Sequence, residues 1–172
     1  MPKQKNKILV SACLLGLPVR FDGQAKEIKH TIFQHWQEED RLVPLCPEVS
    51  GGLPVPRPAA EIINGSASDV IDGRGYILTE DEEDVSRYFL CGAQHALILC
   101  RQQKIGLAIL KENSPSCGST QVYDGRFNGK LVAGQGVTAT LLRQNGITVF
   151  SEHEIDAADK YVRTLLSVKN YM

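Results

Sequence analysis

Three cysteines of this chain stand just after short apolar runs, although they lie far apart in the sequence. Cys13 and Cys46 each close such a run, and Cys117 lies in a hydroxyl-rich loop after the run 105–110. Short apolar runs bounded by turn residues predict buried strands. Ligands collect beyond the carboxyl ends of the strands in an open α/β sheet. We therefore expect the three thiols to share one site.

Three separate thiols are consistent with several kinds of chemistry. Iron–sulfur clusters are held by cysteine thiolates, usually four. With only three thiolates, one iron of a four-iron cluster keeps an open position, which Lewis-acid catalysis requires. A zinc site is disfavoured because zinc typically uses a closely spaced cysteine pair, which this chain lacks. A metal-free enzyme with Cys117 as nucleophile and purely structural thiols both stay open as alternatives.

Composition limits the class of protein. The chain has 172 residues, a formal net charge of −1, 42% hydrophobic and 23% charged residues, which is typical of a globular domain. No basic cluster indicates a nucleic-acid or membrane-surface partner. No segment resembles a signal peptide or a membrane span. We predict a cytoplasmic location, where thiols stay reduced, so the five cysteines are free thiols, ligands or catalytic groups.

The elements that must position the thiols follow from hydrophobic periodicity. Four apolar runs predict strands at 7–13, 42–46, 105–110 and 147–150. Three helical patterns predict connecting helices at 25–40, 82–103 and 135–145. Together they predict an α/β fold: a single domain with a mainly parallel, roughly four-stranded Rossmann-like sheet flanked by helices. We place this domain at 1–152, and an amphipathic helix at 153–172 packs on it or extends it.

Local signals predict the remaining structure. Four prolines within 47–58 predict an extended loop without helix. Thr79 and Glu82 form a capping-box pattern at the start of the long helix. Turn signals predict a hairpin at 123–129 and a small hairpin or turn within 64–78.

Two further groups have competing interpretations. Cys91 and Cys100 are separated by about 180° around a helix, so they cannot bind one ion together, and we interpret them as idle thiols. Arg57 lies between two prolines on stiff backbone. This placement suits a clamp for an anionic or carbonyl group, and the alternative is a surface arginine.

A series of short motifs runs in order along residues 7–152. They are Ser11-Ala-Cys-Leu-Leu-Gly16, Val19-Arg-Phe-Asp-Gly23, Cys46-Pro-Glu48, Gly51-Gly-Leu-Pro54, Pro56-Arg-Pro58, Ser114-Pro-Ser-Cys-Gly118, Tyr123-Asp-Gly125 and Gly134-Gln-Gly-Val-Thr138. In these motifs the chain resembles the DUF523 family, which includes TudS-like thiouracil desulfidases. Phe21 departs from the family pattern, because many relatives carry tyrosine at that position.

The resemblance implies a cofactor, a reaction and site residues. It implies a [4Fe–4S] cluster held by Cys13, Cys46 and Cys117, a catalytic carboxylate at Glu48 and a catalytic serine at Ser114. The implied reaction is non-redox removal of sulfur from a small thiolated nucleobase such as thiouracil. Our hypothesis is that the open cluster iron binds the substrate sulfur while Glu48 acts as general base and then acid, and Ser114 orients or relays the proton.

Some assignments stay open at this point. The alternatives to this enzyme are a metal-free cysteine-nucleophile enzyme and a cluster-based sulfur-binding module without turnover. Glu48 has a competing role as a salt-bridge partner of Arg57. The oligomeric state is undetermined, as are the roles of these other motif residues: Arg20, Asp22, Arg57, Asn113 and Ser116. We expect Glu48 and Ser114 to line the cavity that the three thiols face.

Overall fold

The computed structural model describes residues 6–169. Two parts of the predictions lie outside the described residues: 1–5 of the predicted domain 1–152, and 170–172 of the predicted helix 153–172. The strands are β1 (Ile8–Ser11), β2 (Leu42–Leu45), β3 (Ala60–Ile63), β4 (Tyr76–Thr79), β5 (Leu107–Leu110), β6 (Gln121–Tyr123), β7 (Leu131–Ala133) and β8 (Thr148–Ser151). The helices are α1 (Thr31–Glu38), α2 (Pro47–Ser50), α3 (Ala67–Ile71), α4 (Ser86–Gln102), α5 (Val137–Gln144) and α6 (Ile155–Lys169).

The central sheet is parallel, with strand order β2-β1-β5-β8. Ile8 pairs with Leu42 across β1 and β2, and Leu107 pairs with Thr148 across β5 and β8. The predicted four-stranded α/β fold is confirmed. The two central strands, β1 and β5, are buried along their whole length. Because helices cover both faces of such a parallel sheet, its strands carry continuous apolar runs. Pro44 lies in β2 at the sheet edge, where a residue without an N–H group is tolerated.

Helices cover both faces of this sheet, and successive strand residues contribute to opposite faces. One core cluster joins the sheet to α4 and α5 through residues that include Leu9, Ala108, Phe89 and Val137. The other cluster joins it to α1 and α6 through residues that include Ile8, Ile109, Trp36 and Ile155. Within residues 6–169, no helix is both long and apolar enough to span a membrane.

Two antiparallel strand pairs are added to the central sheet. β6 and β7 form the hairpin predicted around 123–129. β3 pairs with β4, and α3 lies between them in the chain. The segment 64–78, predicted as a small hairpin or turn, therefore supplies a short helix and most of one strand of that pair.

The predicted helix 25–40 is wrong in its first third, since α1 begins only at Thr31. β1 ends before Cys13, which lies on a short 3₁₀ helix that follows the strand. The chain ahead of α1 runs along this 3₁₀ helix. The Lys26 N–H donates to the Cys13 carbonyl at 2.9 Å, and the Ile28 N–H donates to the Leu14 carbonyl at 3.0 Å. These long-range bonds replace a turn of helix.

Two other local predictions are wrong. α4 begins at Ser86, because Thr79 belongs to β4 and its hydroxyl accepts from the Glu83 N–H at 3.1 Å instead of capping a helix. The proline-rich segment contains α2, whose first residue is Pro47. A helix tolerates proline at this position, since the first N–H groups have no partner within the helix.

Candidate active site

The three predicted thiols line one cavity of about 610 Å³. Cys13 follows β1, Cys46 follows β2, and Cys117 lies in the loop after β5, so the cavity opens at the carboxyl ends of adjacent parallel strands. Cys91 and Cys100 lie on α4, the first exposed and the second buried, and neither lines the cavity. The structure thus brings together the three cysteines that sequence reasoning grouped and separates the other two.

Burial and mutual repulsion keep these thiols protonated. Burial, together with the nearby Cys46, raises the pKa of Cys13 to about 11. Burial also raises the pKa of Cys46 and of Cys117, and the pKa of Cys117 is raised in addition by the charges of Cys46, Glu48 and Cys13. Each thiol therefore lies within electrostatic range of another, and a group that binds them as thiolates must displace their protons.

These thiols form the donor set that could hold a metal–sulfur group. Within residues 6–169, no cluster of three or more His, Cys, Asp or Glu side chains is arranged to hold a metal ion. A four-iron cluster is larger than a single ion, so the thiolates that hold it stand further apart. A thiolate-only donor set facing one cavity matches the ligands of iron–sulfur clusters.

Glu48 lies in the same cavity wall, on the first turn of α2. Its Oε2 atom accepts from Arg57, at 2.8 Å from Nε and 2.7 Å from Nη2. Its Oε1 atom lies 3.3 Å from Ser114 Oγ, which donates to it. The carboxylate therefore has one oxygen fixed by a guanidinium and the other directed to the predicted catalytic serine.

Arg57 is a buried internal clamp, with only 8% of its surface exposed. Besides Glu48, its guanidinium donates to the carbonyls of Pro54 at 3.1 Å and Val19 at 3.0 Å. The interpretation as a surface arginine is wrong. The guanidinium binds protein groups, so the structure lends no support to a clamp that receives a ligand.

Ser114 holds the turn that carries Cys117. Its Oγ atom accepts from the N–H groups of Ser116 at 3.0 Å and Cys117 at 2.9 Å. With two donors aimed at this oxygen, its own proton is left to point toward Glu48. The serine thus links the predicted catalytic carboxylate to the backbone of a predicted ligand.

Close backbone contact fixes α2 on α4. A Cβ atom at Gly92 would lie 1.9 Å from the Pro47 carbonyl oxygen, and one at Gly51 would lie 1.9 Å from the Tyr88 carbonyl oxygen. Only glycine allows this approach. The long helix therefore forms a platform that sets the position of both Cys46 and Glu48.

Sequence reasoning missed Glu112, which organises the loop after β5. Its side chain is 6% exposed and accepts from the N–H groups of Ser119, Thr120 and Gln121 at 2.8, 3.0 and 3.2 Å. It also accepts from two hydroxyls of that segment. Burial raises the pKa of Glu112, but the hydrogen bonds outweigh burial and lower the pKa to about 2. An acid directly between a buried strand and a hydroxyl-rich loop is the signal that would have found it.

A second group missed by sequence reasoning ties the ends of β5 and β8 together. Lys111 Nζ lies 2.7 Å from Glu152 Oε1, and Glu152 Oε2 accepts from the Glu112 N–H at 2.7 Å. The Lys111 N–H donates to Ser11 Oγ at 2.9 Å, which also links the end of β1. Lys111 lines the cavity, so this network places one ammonium beside the thiols.

The other motif residues have different surroundings. Arg20 lines the cavity, and its Nη2 atom lies 4.0 Å from Asp22 Oδ2. The other carboxylate oxygen of Asp22 accepts from the Gln24 N–H in a surface turn. Ser116 is buried and pairs with Thr138 through their hydroxyls at 2.8 Å, which indicates a structural role. Asn113 lines the cavity in a left-handed backbone conformation with φ of 74°.

Known proteins match this chain over nearly its whole length. The model of the 2-thiouracil desulfurase family matches residues 8–154. The uncharacterized protein YbbK of Bacillus subtilis (strain 168) is 42% identical over 152 residues, which cover 87% of this chain and 97% of that protein.

A solved structure extends the match to three dimensions. The [4Fe–4S]-dependent thiouracil desulfidase TudS (DUF523Vcz) is 47% identical, with a TM-score of 0.83, over 95% of this chain and 99% of that one. The family match spans the motifs that contain Cys13, Cys46 and Cys117. The chain belongs to the 2-thiouracil desulfurase family.

Proposed function

We propose that this protein is an enzyme that removes sulfur from a thiolated nucleobase such as thiouracil, using a [4Fe–4S] cluster held by Cys13, Cys46 and Cys117. One observation carries the proposal: three thiols, two buried and one half-buried, line a single cavity with the Glu48–Ser114 pair in a member of this family. The reaction exchanges sulfur for oxygen, since thiocarbonyl and water give carbonyl and hydrogen sulfide. It requires neither oxidant nor reductant.

The donor set fits the cluster. Three thiols from the ends of β1, β2 and the loop after β5 face one cavity, and no histidine occurs among the described residues that line it. With three protein thiolates, such a cluster supplies a Lewis-acidic iron with an open position for a sulfur ligand.

Glu48 is the proposed general base. Arg57 holds its Oε2 atom, so the carboxylate cannot rotate freely, and Oε1 faces Ser114 at 3.3 Å. A base must lie within hydrogen-bond reach of the proton that it removes. Glu48 takes a proton from the attacking water, and the Ser114 hydroxyl orients or relays that proton. Glu48 then returns a proton to the departing sulfur.

The wall of the cavity suits a flat heteroaromatic substrate. Several aromatic side chains line it: Phe21, Tyr88, Phe89, Tyr123 and Phe127. Small-molecule sites are typically apolar clefts with a few convergent polar groups, and aromatic rings stack on one another.

Three predictions from the sequence stay predictions: that the protein has no nucleic-acid partner, that it is cytoplasmic, and that its α/β domain ends near residue 152.

The metal-free alternative receives no support from the geometry. Cys117 is only 5% exposed, and the cavity wall among the described residues offers no imidazole to activate it. Buried thiols in such surroundings are poor nucleophiles.

Anaerobic reconstitution tests the proposal. Iron and sulfide counts with an absorbance spectrum should show a four-iron cluster, and the loaded protein should release sulfide from 2- or 4-thiouracil over many turnovers. A single sulfide retained per chain would support the sulfur-binding module instead. Desulfuration at the same rate without iron would refute the cluster mechanism.

A further inference from the structure

Lys111 is a half-buried cation in the cavity wall that the proposed reaction does not yet use. Its ammonium lies 2.7 Å from Glu152 Oε1 and donates to the Glu112 carbonyl at 3.1 Å. An ammonium has three N–H donors, and no third acceptor within residues 6–169 contacts this one. Only 17% of the side chain is exposed. Because a charge is costly to bury, this arrangement points to a role in the cavity beyond the ion pair.

The Lys111–Glu152 ion pair has its positive end nearer to the thiols. Lys111 lines the cavity together with Cys13, whereas Glu152 does not. Burial raises the pKa of Cys13, while the charge of Lys111 lowers that pKa by more than the charge of Glu152 raises it. The backbone is fixed as well, since the Lys111 N–H donates to Ser11 Oγ at 2.9 Å. The pair therefore presents a positioned positive charge to the thiols.

The other two cations of the cavity wall are arranged differently. Arg57 binds Glu48, and the charge of Glu48 acts on Cys46 more strongly than the charge of Arg57 does. Arg20 lies 4.0 Å from Asp22 and acts on Cys13 less strongly than Lys111 does. Lys111 is thus the cation best placed to act on negative charge beside Cys13.

We propose that the Lys111 ammonium stabilises the hydrosulfide anion that desulfuration releases beside the thiols, and that Glu152 positions this ammonium. This inference rests on the proposed function. In the reaction a C–O bond forms and the C–S bond breaks. One proton of the attacking water goes to the sulfur and the other to Glu48, so the sulfur leaves as an anion. A positioned cation offsets the repulsion between that anion and the cysteine thiolates.

Charge-changing substitutions separate this role from a structural one. Lys111→Met removes the cation, and Glu152→Gln removes the opposing charge while its amide oxygen can still accept from the Glu112 N–H. Lys7→Met is the matched control, since Lys7 forms an ion pair with Asp40 at 2.9 Å and neither residue lines the cavity.

Two sulfur ligands of different charge serve as probes. Sodium sulfide at alkaline pH supplies hydrosulfide, and thiourea supplies a neutral thiocarbonyl. Calorimetry on anaerobically reconstituted protein, normalised to iron content, measures the affinity for each probe. A redox titration of the same samples measures the reduction potential, which the charges around a cluster influence.

We expect the hydrosulfide affinity to fall about tenfold in Lys111→Met and to rise severalfold in Glu152→Gln, with Lys7→Met equal to wild type. The double variant should bind hydrosulfide only about threefold more weakly than wild type, because the two charges that it loses have opposite signs. The thiourea affinity should be the same in every protein. The reduction potential should decrease by about 60 mV in Lys111→Met, the equivalent of a tenfold change for one electron, and increase in Glu152→Gln.

The outcomes distinguish the two claims. If wild type desulfurates thiouracil and Lys111→Met keeps the wild-type hydrosulfide affinity, the role of Lys111 is refuted and the proposed function stands. Weaker hydrosulfide binding in both single variants would indicate a structural role of the ion pair and would also refute the inference. If Lys111→Met binds too little iron to be measured, Glu152→Gln decides alone, because an unchanged or lower affinity in it contradicts the inference. If the fully loaded wild type neither turns over thiouracil nor binds hydrosulfide, the proposed function fails, and this inference fails with it.

Discussion

Glu48 and Glu112 are two carboxylates in the wall of one cavity, and their surroundings differ. Glu112 accepts hydrogen bonds from four backbone N–H groups and two hydroxyls of the loop that follows it, so both its oxygens are occupied. Glu48 has one oxygen held by Arg57, while the other contacts, among the described residues, only the Ser114 hydroxyl, at 3.3 Å.

The difference separates a folding role from a chemical one. When the loop of a carboxylate donates hydrogen bonds to both of its oxygens, the ionised form is stabilised. Such a carboxylate has no acceptor capacity left for a reacting proton. A carboxylate with one fixed and one accessible oxygen is oriented and still able to accept a proton. The region around Glu112 therefore builds the loop that contains Cys117, and the region around Glu48 is suited to reaction chemistry.

The largest expected effect is on activity when Glu48 is changed. Glu48→Gln keeps the size of the side chain but removes the base, so kcat should fall by about 10²- to 10⁴-fold. Iron and sulfide content should be unchanged. Steady-state sulfide release, normalised to iron, measures this effect. A variant that retains more than half of the wild-type kcat would show that the two carboxylates do not differ as we argue.

Glu112→Gln should instead act on stability. The amide oxygen would take the place of Oε1 and bind the backbone N–H groups without a charge, and the amide nitrogen would take the place of Oε2, so the Ser119 and Thr120 hydroxyls lose their acceptor. Loss of these charge-assisted hydrogen bonds should destabilise the fold by about 2–3 kcal/mol. Urea unfolding of the metal-free protein measures this, with the exposed Glu38→Gln on α1 as control. An unfolding midpoint equal to that of wild type would contradict the structural role of Glu112.

The platform under Glu48 can be tested separately. Gly92→Ala would place a methyl group against the Pro47 carbonyl, which should cost about 1–3 kcal/mol and displace α2. Gly106→Ala is the control, because nothing lies within 4 Å of its Cβ position. Thermal unfolding and kcat should both decrease in the first variant and not in the second. A fully active, equally stable Gly92→Ala protein would mean that close helix contact is not needed.

The smallest effect is a difference in pH dependence. The pKa of Glu112 is lowered from 4.5 to about 2, so its contribution to stability is complete above 4.5 and is lost as the pH falls toward 2. The free energy of unfolding of wild type should therefore decline more steeply between about pH 5 and pH 2 than that of Glu112→Gln. Parallel curves for the two proteins would contradict the hydrogen-bond assignment.

Sequence patterns were sufficient to predict the sheet and the position of the three cysteines, because one strong rule applied to each. Apolar runs without alternation located the parallel sheet, and the strand-end rule placed Cys13, Cys46 and Cys117 in one cavity. Arg57 was recognised as notable, but two of its partners, Glu48 on α2 and the Val19 carbonyl in the loop after β1, reach it only in the folded chain.

Local rules failed where tertiary contacts replaced local ones. Thr79 has the residue pattern of a helix cap, but it pairs with Ala60 across β3 and β4. The segment before Thr31 has helical periodicity, yet it bonds to the 3₁₀ helix after β1. The role of Glu112 depends on a loop that returns to it seven to nine residues later, which no periodic pattern reveals.

The central claim is that the three cysteines and Glu48 form one desulfidase site. The most direct measurement compares sulfide release from thiouracil by anaerobically reconstituted wild type, Cys13→Ser and Cys91→Ser, together with their iron content. We predict many turnovers for wild type and for Cys91→Ser, whose substituted thiol lies outside the cavity, and loss of both cluster and turnover for Cys13→Ser. A Cys13→Ser protein that desulfurates at the wild-type rate would contradict the account.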